Sequence, residues 1–189
     1  EDGNAWGAGV AAVDIENDGD LDLYICNYDS ENSLYINDGK GHFSESASRF
    51  GLGVVDASLV PTFCDFDKDG DLDVLITENA GPTHLWRNDF SEHPETNANN
   101  YLRVKLEGSS SNRDGIGSMI ELFIGNRKFS RRVRTGSSYL SQSEKVVTFG
   151  IGEAGSVDSL VVQWPSGVID SFSQVAPNQE LLIFEGETL

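Results

Sequence analysis

Asp65-Phe-Asp-Lys-Asp-Gly-Asp-Leu-Asp73 places five carboxylates at alternate positions around a single glycine. Carboxylates gathered so closely repel one another unless a cation neutralises them. The stretch offers only oxygen ligands, and a hard divalent cation prefers six to eight of them. The sequence therefore predicts a calcium-binding loop, and the regular spacing disfavours the alternative of a solvated acidic turn.

Each acidic position of this loop has a predicted role. Positions 1, 3 and 5 supply side-chain oxygens, position 7 supplies its backbone carbonyl, and position 9 closes the far side. The glycine at position 6, Gly70, allows the sharp turn. The predicted ligands, in that order, are Asp65, Asp67, Asp69, Asp71 and Asp73.

The same loop occurs 51 residues earlier (14 against 65) as Asp14-Ile-Glu-Asn-Asp-Gly-Asp-Leu-Asp22. The ungapped alignment continues beyond the loop, with Leu23-Tyr-Ile25 opposite Val74-Leu-Ile76 and Asn37-Asp38 opposite Asn88-Asp89. A fixed offset over this length indicates an internal structural repeat. It adds a second ligand set, in which the longer glutamate is expected to bind through water: Asp14, Glu16, Asp18, Asp20 and Asp22.

An EF-hand shares the first six positions of such a loop but needs a bidentate glutamate at position 12 and flanking helices. Position 12 is Ile25 in one copy and Ile76 in the other. Both loops also run into apolar, β-branched stretches that are typical of buried strands. The EF-hand interpretation is therefore rejected.

The loop, its following strand and the later Leu-Tyr-x-Asn-Asp-Gly-x-Gly-x-Phe of Leu34 to Phe43 resemble the FG-GAP, or VCBS, repeat. The resemblance implies that each repeat is one four-stranded blade of a β-propeller with calcium in a hairpin loop. It also implies two ions, one held by Asp14, Glu16, Asp18 and Asp22 and the other by Asp65, Asp67, Asp69 and Asp73. Two blades cannot close a propeller, so further blades are expected upstream of Glu1.

The second half has a different pattern. Residues 91–100 are polar and are predicted to be a linker. Beyond them, Tyr101 to Glu107 alternates strictly between apolar and polar residues, and about seven such short strands are separated by turn residues. This spacing favours an antiparallel β-sandwich or barrel. The predicted fold is all-β, with propeller blades in residues 1–96 and a sandwich-like domain in residues 97–189.

Four ordered motifs of this half resemble the ASPIC and UnbV domain, which typically follows FG-GAP repeats, as in proteins similar to cartilage acidic protein. They are Asn112 to Gly117, Gly136 to Gln142, Phe149 to Gly152 and Val162 to Gly167. The first could be a polar binding edge, but its turn-forming residues favour a hairpin connection. The hydroxyls, Tyr139 and Gln142 of the second suit a sugar or peptide ligand, or a loop that satisfies its own backbone.

The formal net charge is −18. Residues 1–100 contain 21 acids and 4 bases, whereas residues 101–189 contain 10 acids and 9 bases. Such acidity makes a nucleic-acid partner unfavourable. A cluster of bases lies in one segment and is expected to be a solvated strand face, or alternatively a docking face for the acidic half: Arg127, Lys128, Arg131, Arg132 and Arg134.

Compartment and chemistry follow from the same residues. Open calcium loops suit millimolar free calcium, so the protein is expected to be secreted or exposed at the cell envelope. No apolar run is long enough to span a membrane. Cys26 and Cys64 occupy different positions of the repeat and are expected to be unpaired thiols. The three histidines, His42, His84 and His93, have no nucleophile or zinc pattern near them.

The sequence therefore predicts a non-catalytic, calcium-binding module for extracellular recognition, adhesion or scaffolding, with a protein or glycan ligand. Two alternatives stay open. The chain could be an accessory region of a larger secreted enzyme, or a carbohydrate-binding module centred on Tyr139 and Gln142.

Overall fold

The computed structural model describes residues 6–90 and 99–187. Nearly all of the regular structure in these residues is β, which confirms the predicted fold class. The chain forms two compact units. The first unit comprises the described part of Glu1–Ile15 together with Asp20–Phe90 and Gly136–Ser143. The second unit comprises Glu16–Gly19 together with the described parts of Ser91–Thr135 and Glu144–Leu189.

The first unit contains two antiparallel sheets that follow the sequence repeat. The first sheet has the order β1-β2-β3-β4 and comprises β1 (Gly7–Val13), β2 (Asp22–Asn27), β3 (Ser33–Asn37) and β4 (Phe43–Glu45). The second has the order β5-β6-β7 and comprises β5 (Ser58–Cys64), β6 (Asp73–Glu78) and β7 (His84–Trp86). The first blade has its four predicted strands, whereas the second has three within the described residues.

The register of the two sheets repeats the offset seen in the sequence. Val13 pairs with Asp22 in the first sheet, and Cys64 pairs with Asp73 in the second. Each acidic loop therefore connects the first two strands of its sheet, at the same end. One element was not predicted: a short helix, α1 (Ala47–Phe50), lies between the blades and ends at Gly51 with a φ of 68°.

The apolar residues of both blades form one core cluster within this unit, including Tyr24, Leu34, Phe63 and Ile76. Tyr24 is fully buried, its ring meets that of Phe63 edge-on at 6.2 Å, and its hydroxyl donates to Leu52 O at 2.9 Å. Cys26 and Cys64 do not form a disulfide, as predicted, and Cys26 is buried whereas Cys64 is half-buried. Burial raises the pKa of the Cys26 thiol to about 12.

The second unit is a two-sheet sandwich of seven strands. One sheet has the order β10-β9-β12-β13, and the other has the order β11-β8-β14. The strands are β8 (Asn100–Glu107), β9 (Met119–Ile124), β10 (Arg127–Arg132), β11 (Val147–Gly152), β12 (Val157–Gln163), β13 (Ile169–Val175) and β14 (Gln179–Phe184). Alternate residues of both sheets, such as Leu102, Leu122 and Leu160, are fully buried in a single core.

The expectation of a purely antiparallel sandwich needs one correction. Strand β14 pairs with β8 in parallel, with Gln179 opposite Leu102 and Phe184 opposite Glu107. Parallel pairing requires a crossover, and here the intervening chain includes the entire other sheet.

A buried carboxylate organises the turn that contains Asn112 to Gly117. Glu185 Oε2 accepts from the backbone N–H groups of Ser109, Ser110 and Ser111 at 2.8, 2.7 and 2.6 Å. Burial alone would raise the pKa of Glu185, but hydrogen bonds from Ser111, Ser166 and Ser110 outweigh it and lower the pKa to about 2. The Asn112 motif is a turn, since Asn112 Oδ1 accepts from Ile116 N at 2.8 Å.

The predicted linker at residues 91–100 lies largely outside the described residues, as does His93. Within the described residues, no helix has the length and apolar character needed to cross a membrane.

Candidate metal centre

The second loop is shaped by hydrogen bonds from its own backbone to its first carboxylate. Asp65 is 5% exposed, and its Oδ1 and Oδ2 accept from Lys68 N and Gly70 N at 2.6 and 3.0 Å. Gly70 has a φ of 98° and Lys68 has a φ of 68°. The glycine adopts this conformation without steric cost, whereas a lysine is strained there.

Asp73 at position 9 holds the loop to the next hairpin. Its Oδ2 accepts from Phe66 N at 2.9 Å, and its Oδ1 accepts from Asn88 N at 2.8 Å. The side chain is fully buried. Burial raises the pKa of Asp73, although these two hydrogen bonds oppose the increase. The sequence predicted this residue only as a ligand, and the structure also gives it a fold-stabilising role.

Three of the predicted ligands converge. Asp65, Asp67 and Asp73 each present an oxygen, and these oxygens all lie within 4.8 Å of one another. Calcium binds oxygens at about 2.3–2.6 Å, so two ligands on opposite sides of the ion stand about 5 Å apart. The three oxygens are thus close enough to share one calcium ion.

Asp69 adds a fourth carboxylate with an unused oxygen. Its Oδ1 accepts from Asp71 N at 2.9 Å, but its Oδ2 is buried and has no hydrogen-bond donor in the described part of the chain. Burial, followed by the charges of Asp71, Asp67 and Asp73, raises the pKa of Asp69 to about 6 against one opposing hydrogen bond. Without a cation, an ionised oxygen in this position is unfavourable, because it is buried among other carboxylates. A bound cation would remove that cost and use the oxygen as a ligand.

One cationic side chain stands beside the loop. Arg87 Nη1 lies 3.4 Å from Asp67 Oδ2, and its Nε pairs with Asp89. The position equivalent to Arg87 in the first repeat is Ile36. The second repeat therefore supplies a partial counter-charge of its own at this position, whereas Arg127 and Arg131 donate to Asp18 O and Gly19 O of the first loop.

The first loop has the same backbone arrangement. Asp22 accepts from Ile15 N at 3.0 Å and from Asn37 N at 2.9 Å, as Asp73 does in the second loop. Gly19 has a φ of 99°, nearly identical to that of Gly70, and Asn17 at position 4 has a φ of 56°.

The side chains of the first loop are placed differently from those of the second. Asp14 and Asp22 are buried, at 3% and 2% exposed, and Glu16, Asp18 and Asp20 are half-buried. Within residues 6–90 and 99–187, no three of these five carboxylates bring ligand atoms within 4.8 Å of one another. The structure thus forms a compact three-carboxylate cluster only at the second loop.

Residues 16–19 pack within the second unit. Gly152 N donates to Asn17 O at 3.0 Å, and Arg127 Nη2 donates to Asp18 O at 3.0 Å. Two other members of the basic cluster have local partners, since Lys128 pairs with Glu121 at 2.6 Å and Arg132 donates to Gly117 O at 3.2 Å.

Two hydroxyls of the Gly136 to Gln142 segment, those of Ser137 and Ser138, accept hydrogen bonds from backbone N–H groups, whereas Ser141 Oγ is buried without a hydrogen-bond partner in the described residues. Ser138 Oγ accepts from Val10 N and Ser143 Oγ accepts from Phe63 N, both at 3.1 Å. Tyr139 is 65% exposed. The loop interpretation therefore accounts for Ser137 and Ser138, and Tyr139 is the aromatic side chain that the loop leaves exposed.

Sequence reasoning missed a second group of potential ligands. Asp56, Glu78 and His84 present ligand atoms within 4.8 Å of one another. They are separated by 22 and 6 residues, so no local motif marks them. Comparison of the two repeats could have drawn attention to these positions, because the second repeat has metal-binding residue types where the first has an alanine, an asparagine and a serine.

Comparison with protein families confirms the two resemblances in the sequence. The model of the FG-GAP-like repeat matches residues 14–76, and the model named ASPIC and UnbV matches residues 108–189. Among curated proteins, no match was found.

Proposed function

We propose that this chain, which carries an FG-GAP-like repeat followed by an ASPIC and UnbV domain, is a calcium-binding extracellular module for recognition or scaffolding, with no catalytic activity of its own. The observation that carries the proposal is the second loop. Three carboxylate oxygens lie within 4.8 Å of one another, and a buried fourth carboxylate oxygen lacks a donor in the described residues.

The ligand chemistry favours calcium over other ions. All four carboxylates offer hard oxygens, and no sulfur or imidazole lies in the loop sequence. Magnesium demands near-ideal octahedral geometry, whereas calcium accepts irregular arrangements and takes bidentate carboxylates. A loop fixed by backbone hydrogen bonds to Asp65 and Asp73 suits the more tolerant ion. By the sequence repeat, the first loop is proposed to hold a second calcium ion.

Calcium would stabilise the module by mass action. An ion at 100 times its dissociation constant contributes about 2.7 kcal/mol to folding. The contribution arises locally, since the ion removes repulsion among carboxylates that connect β5 to β6. A rigid blade end is then available to present a surface to a partner, which we propose is an extracellular protein or glycan.

The proposed location rests on the same ion and on the family. FG-GAP repeats usually occur in extracellular proteins, and open calcium loops with modest affinity are filled at the millimolar calcium found outside cells. Secretion or exposure at the cell envelope is therefore part of the proposal.

Thermal unfolding with and without calcium tests the proposal. Asp67→Ala removes an exposed member of the cluster that makes no backbone hydrogen bond in the described residues, so the variant should remain folded in EDTA and show a smaller increase in melting temperature on addition of calcium than the wild type. Glu153→Ala removes one charge from an exposed site in the second unit and serves as the control. An equal calcium response in all three proteins would contradict the proposal.

A further inference from the structure

A second group of potential ligands lies at the other end of the second blade. Asp56 precedes β5 by two residues, Glu78 ends β6, and His84 begins β7. The calcium loop joins the opposite ends of β5 and β6. At about 3.3 Å per residue, the six residues of β6 separate Asp73 from Glu78 by about 17 Å. The two groups are therefore distinct.

The three side chains converge without a hydrogen bond that would explain the arrangement. Their ligand atoms lie within 4.8 Å of one another, and Glu78 Oε1 lies 2.7 Å from His84 Nε2. Despite this distance, neither atom has a hydrogen-bond partner with acceptable geometry in the described residues. The contact is an ion pair by distance, and its geometry leaves both atoms available as ligands of one ion.

The surroundings hold Glu78 in place. Its side chain is 6% exposed, and a Cβ added at Gly81 would lie 1.9 Å from its Oε2. A side chain at position 81 would therefore displace the Glu78 carboxylate from this place. Burying a carboxylate is costly unless a cation or several donors accompany it. A positive partner, either the protonated His84 imidazole at 2.7 Å or a bound cation, would offset this cost.

The imidazole is positioned and accessible. The ring of His84 packs against that of Trp86, with centroids 5.1 Å apart, and its side chain is 34% exposed. Asp56 is exposed. A metal ion could enter from solvent on this side, and one coordination position would face water.

The fold does not require these residues. At the same offset of 51, the first blade has Ala5, Asn27 and Ser33 in their place. The Asn27 side chain makes an ordinary hydrogen bond there, with its Nδ2 donating to Glu31 O at 2.6 Å. One blade of this chain thus folds without the trio.

We propose that Asp56, Glu78 and His84 bind one divalent transition-metal ion of the zinc class, independently of the calcium loops. An imidazole nitrogen with two carboxylates suits borderline metals such as Zn²⁺, which commonly take three protein ligands and a water. Calcium, in contrast, prefers oxygen ligands alone. At Zn–N and Zn–O distances of about 2.0–2.2 Å, tetrahedral ligands stand about 3.3–3.5 Å apart, so Glu78 and His84 need to separate only slightly.

Calorimetric titration of the whole chain with ZnCl₂ in excess calcium tests the site. The wild type should bind one equivalent at low-micromolar Zn²⁺, and calcium should not compete. Asp56→Asn, at an exposed position, should weaken binding at least tenfold, and His84→Ser at least about 100-fold. His84→Ser and Glu78→Asn introduce the residues of the first blade. His42→Gln, which alters another exposed histidine, should bind like the wild type.

Two further measurements make the result decisive. Zn²⁺ should raise the melting temperature of the wild type but not of His84→Ser, and the absorption of a Co²⁺-loaded sample should lose its visible bands in that variant. Circular dichroism and the calcium response report whether each variant is folded. Zn²⁺ binding that calcium displaces, that survives His84→Ser in a folded protein, or that His42→Gln abolishes would overturn the assignment, as would the absence of Zn²⁺ binding by the wild type.

Discussion

Replacement of Asp69 by asparagine should stabilise the protein without calcium, and calcium should remove that advantage. In metal-free protein, burial and neighbouring carboxylates raise the pKa of Asp69 to about 6 from 3.8. Because the folded pKa exceeds the unfolded one, the folded state binds more protons between these values, and stability falls as the pH rises through them. Above the folded pKa, the full penalty of the ionised side chain is present.

The size of the effect follows from the shift. About two pKa units would correspond to about 3 kcal/mol for a fully buried group. Asp69 is only half-buried, so solvent screening reduces the figure to about 1–1.5 kcal/mol. For a chain of 189 residues, Asp69→Asn should raise the melting temperature in EDTA at pH 7.5 by about 3–4 °C.

Saturating calcium should cancel this gain and bring the two melting temperatures close together. The variant loses one anionic ligand, and a tenfold weaker affinity removes about 1.4 kcal/mol of the stabilisation that calcium gives the wild type. Differential scanning calorimetry of both proteins in EDTA and in calcium provides the assay, with Glu153→Gln as a matched control for loss of one charge. If Asp69→Asn melts below the wild type in EDTA, or responds to calcium as strongly as the wild type, the electrostatic reasoning is refuted.

Three further changes have defined outcomes. Lys68→Asn should raise the free energy of unfolding by about 0.5–1 kcal/mol in urea titrations, since asparagine tolerates the left-handed φ of 68° better than lysine. An unchanged free energy of unfolding would contradict the claim that the backbone of Lys68 is strained. Arg87→Gln should strengthen calcium binding about threefold by calorimetry, because the guanidinium 3.4 Å from Asp67 competes with the ion; weaker binding would contradict this. Glu185 has a pKa lowered to about 2 from 4.5, so its contribution to stability is present above pH 4.5 and lost as the pH falls towards 2. Glu185→Gln should therefore flatten the dependence of the melting temperature on pH in that window, and an unchanged slope would argue against it.

The repeat was predictable residue by residue because it depends on local patterns. Alternating apolar residues and the turn-forming Asn-Asp-Gly place the strands, and the fixed offset of 51 reappears in the pairing of Val13 with Asp22 and of Cys64 with Asp73. The positive φ of Gly70 follows from the carboxylate spacing around it. These features act over a few residues, so a linear pattern contains them.

Features that depend on distant contacts were not predictable in this way. The alternation within Gln179–Phe184 is the same for a parallel as for an antiparallel strand, so the sequence did not reveal that β14 pairs in parallel with β8. The segment around Ser138 belongs to the second-half motifs in sequence but packs in the first unit, where the Ser138 hydroxyl accepts from Val10 N. The four-residue helix Ala47–Phe50 is too short to show a helical period.

The candidate site likewise combines features that the sequence predicted with features that it did not. The sequence identified the acidic loops, but it treated Asp73 as a ligand alone, because its bond to Asn88 N spans fifteen residues. It also could not show that only the second loop gathers three oxygens within 4.8 Å, a difference that arises from side-chain placement and not from composition.

The central claim is that the acidic loops bind calcium, and calorimetric titration of CaCl₂ into the EDTA-treated, dialysed chain tests it most directly. The account predicts saturable binding of two ions to the wild type, and of one ion to a variant in which Asp67 and Asp69 are both replaced by alanine. No saturable heat with the wild type, or an unchanged number of ions bound by a folded variant, would contradict it.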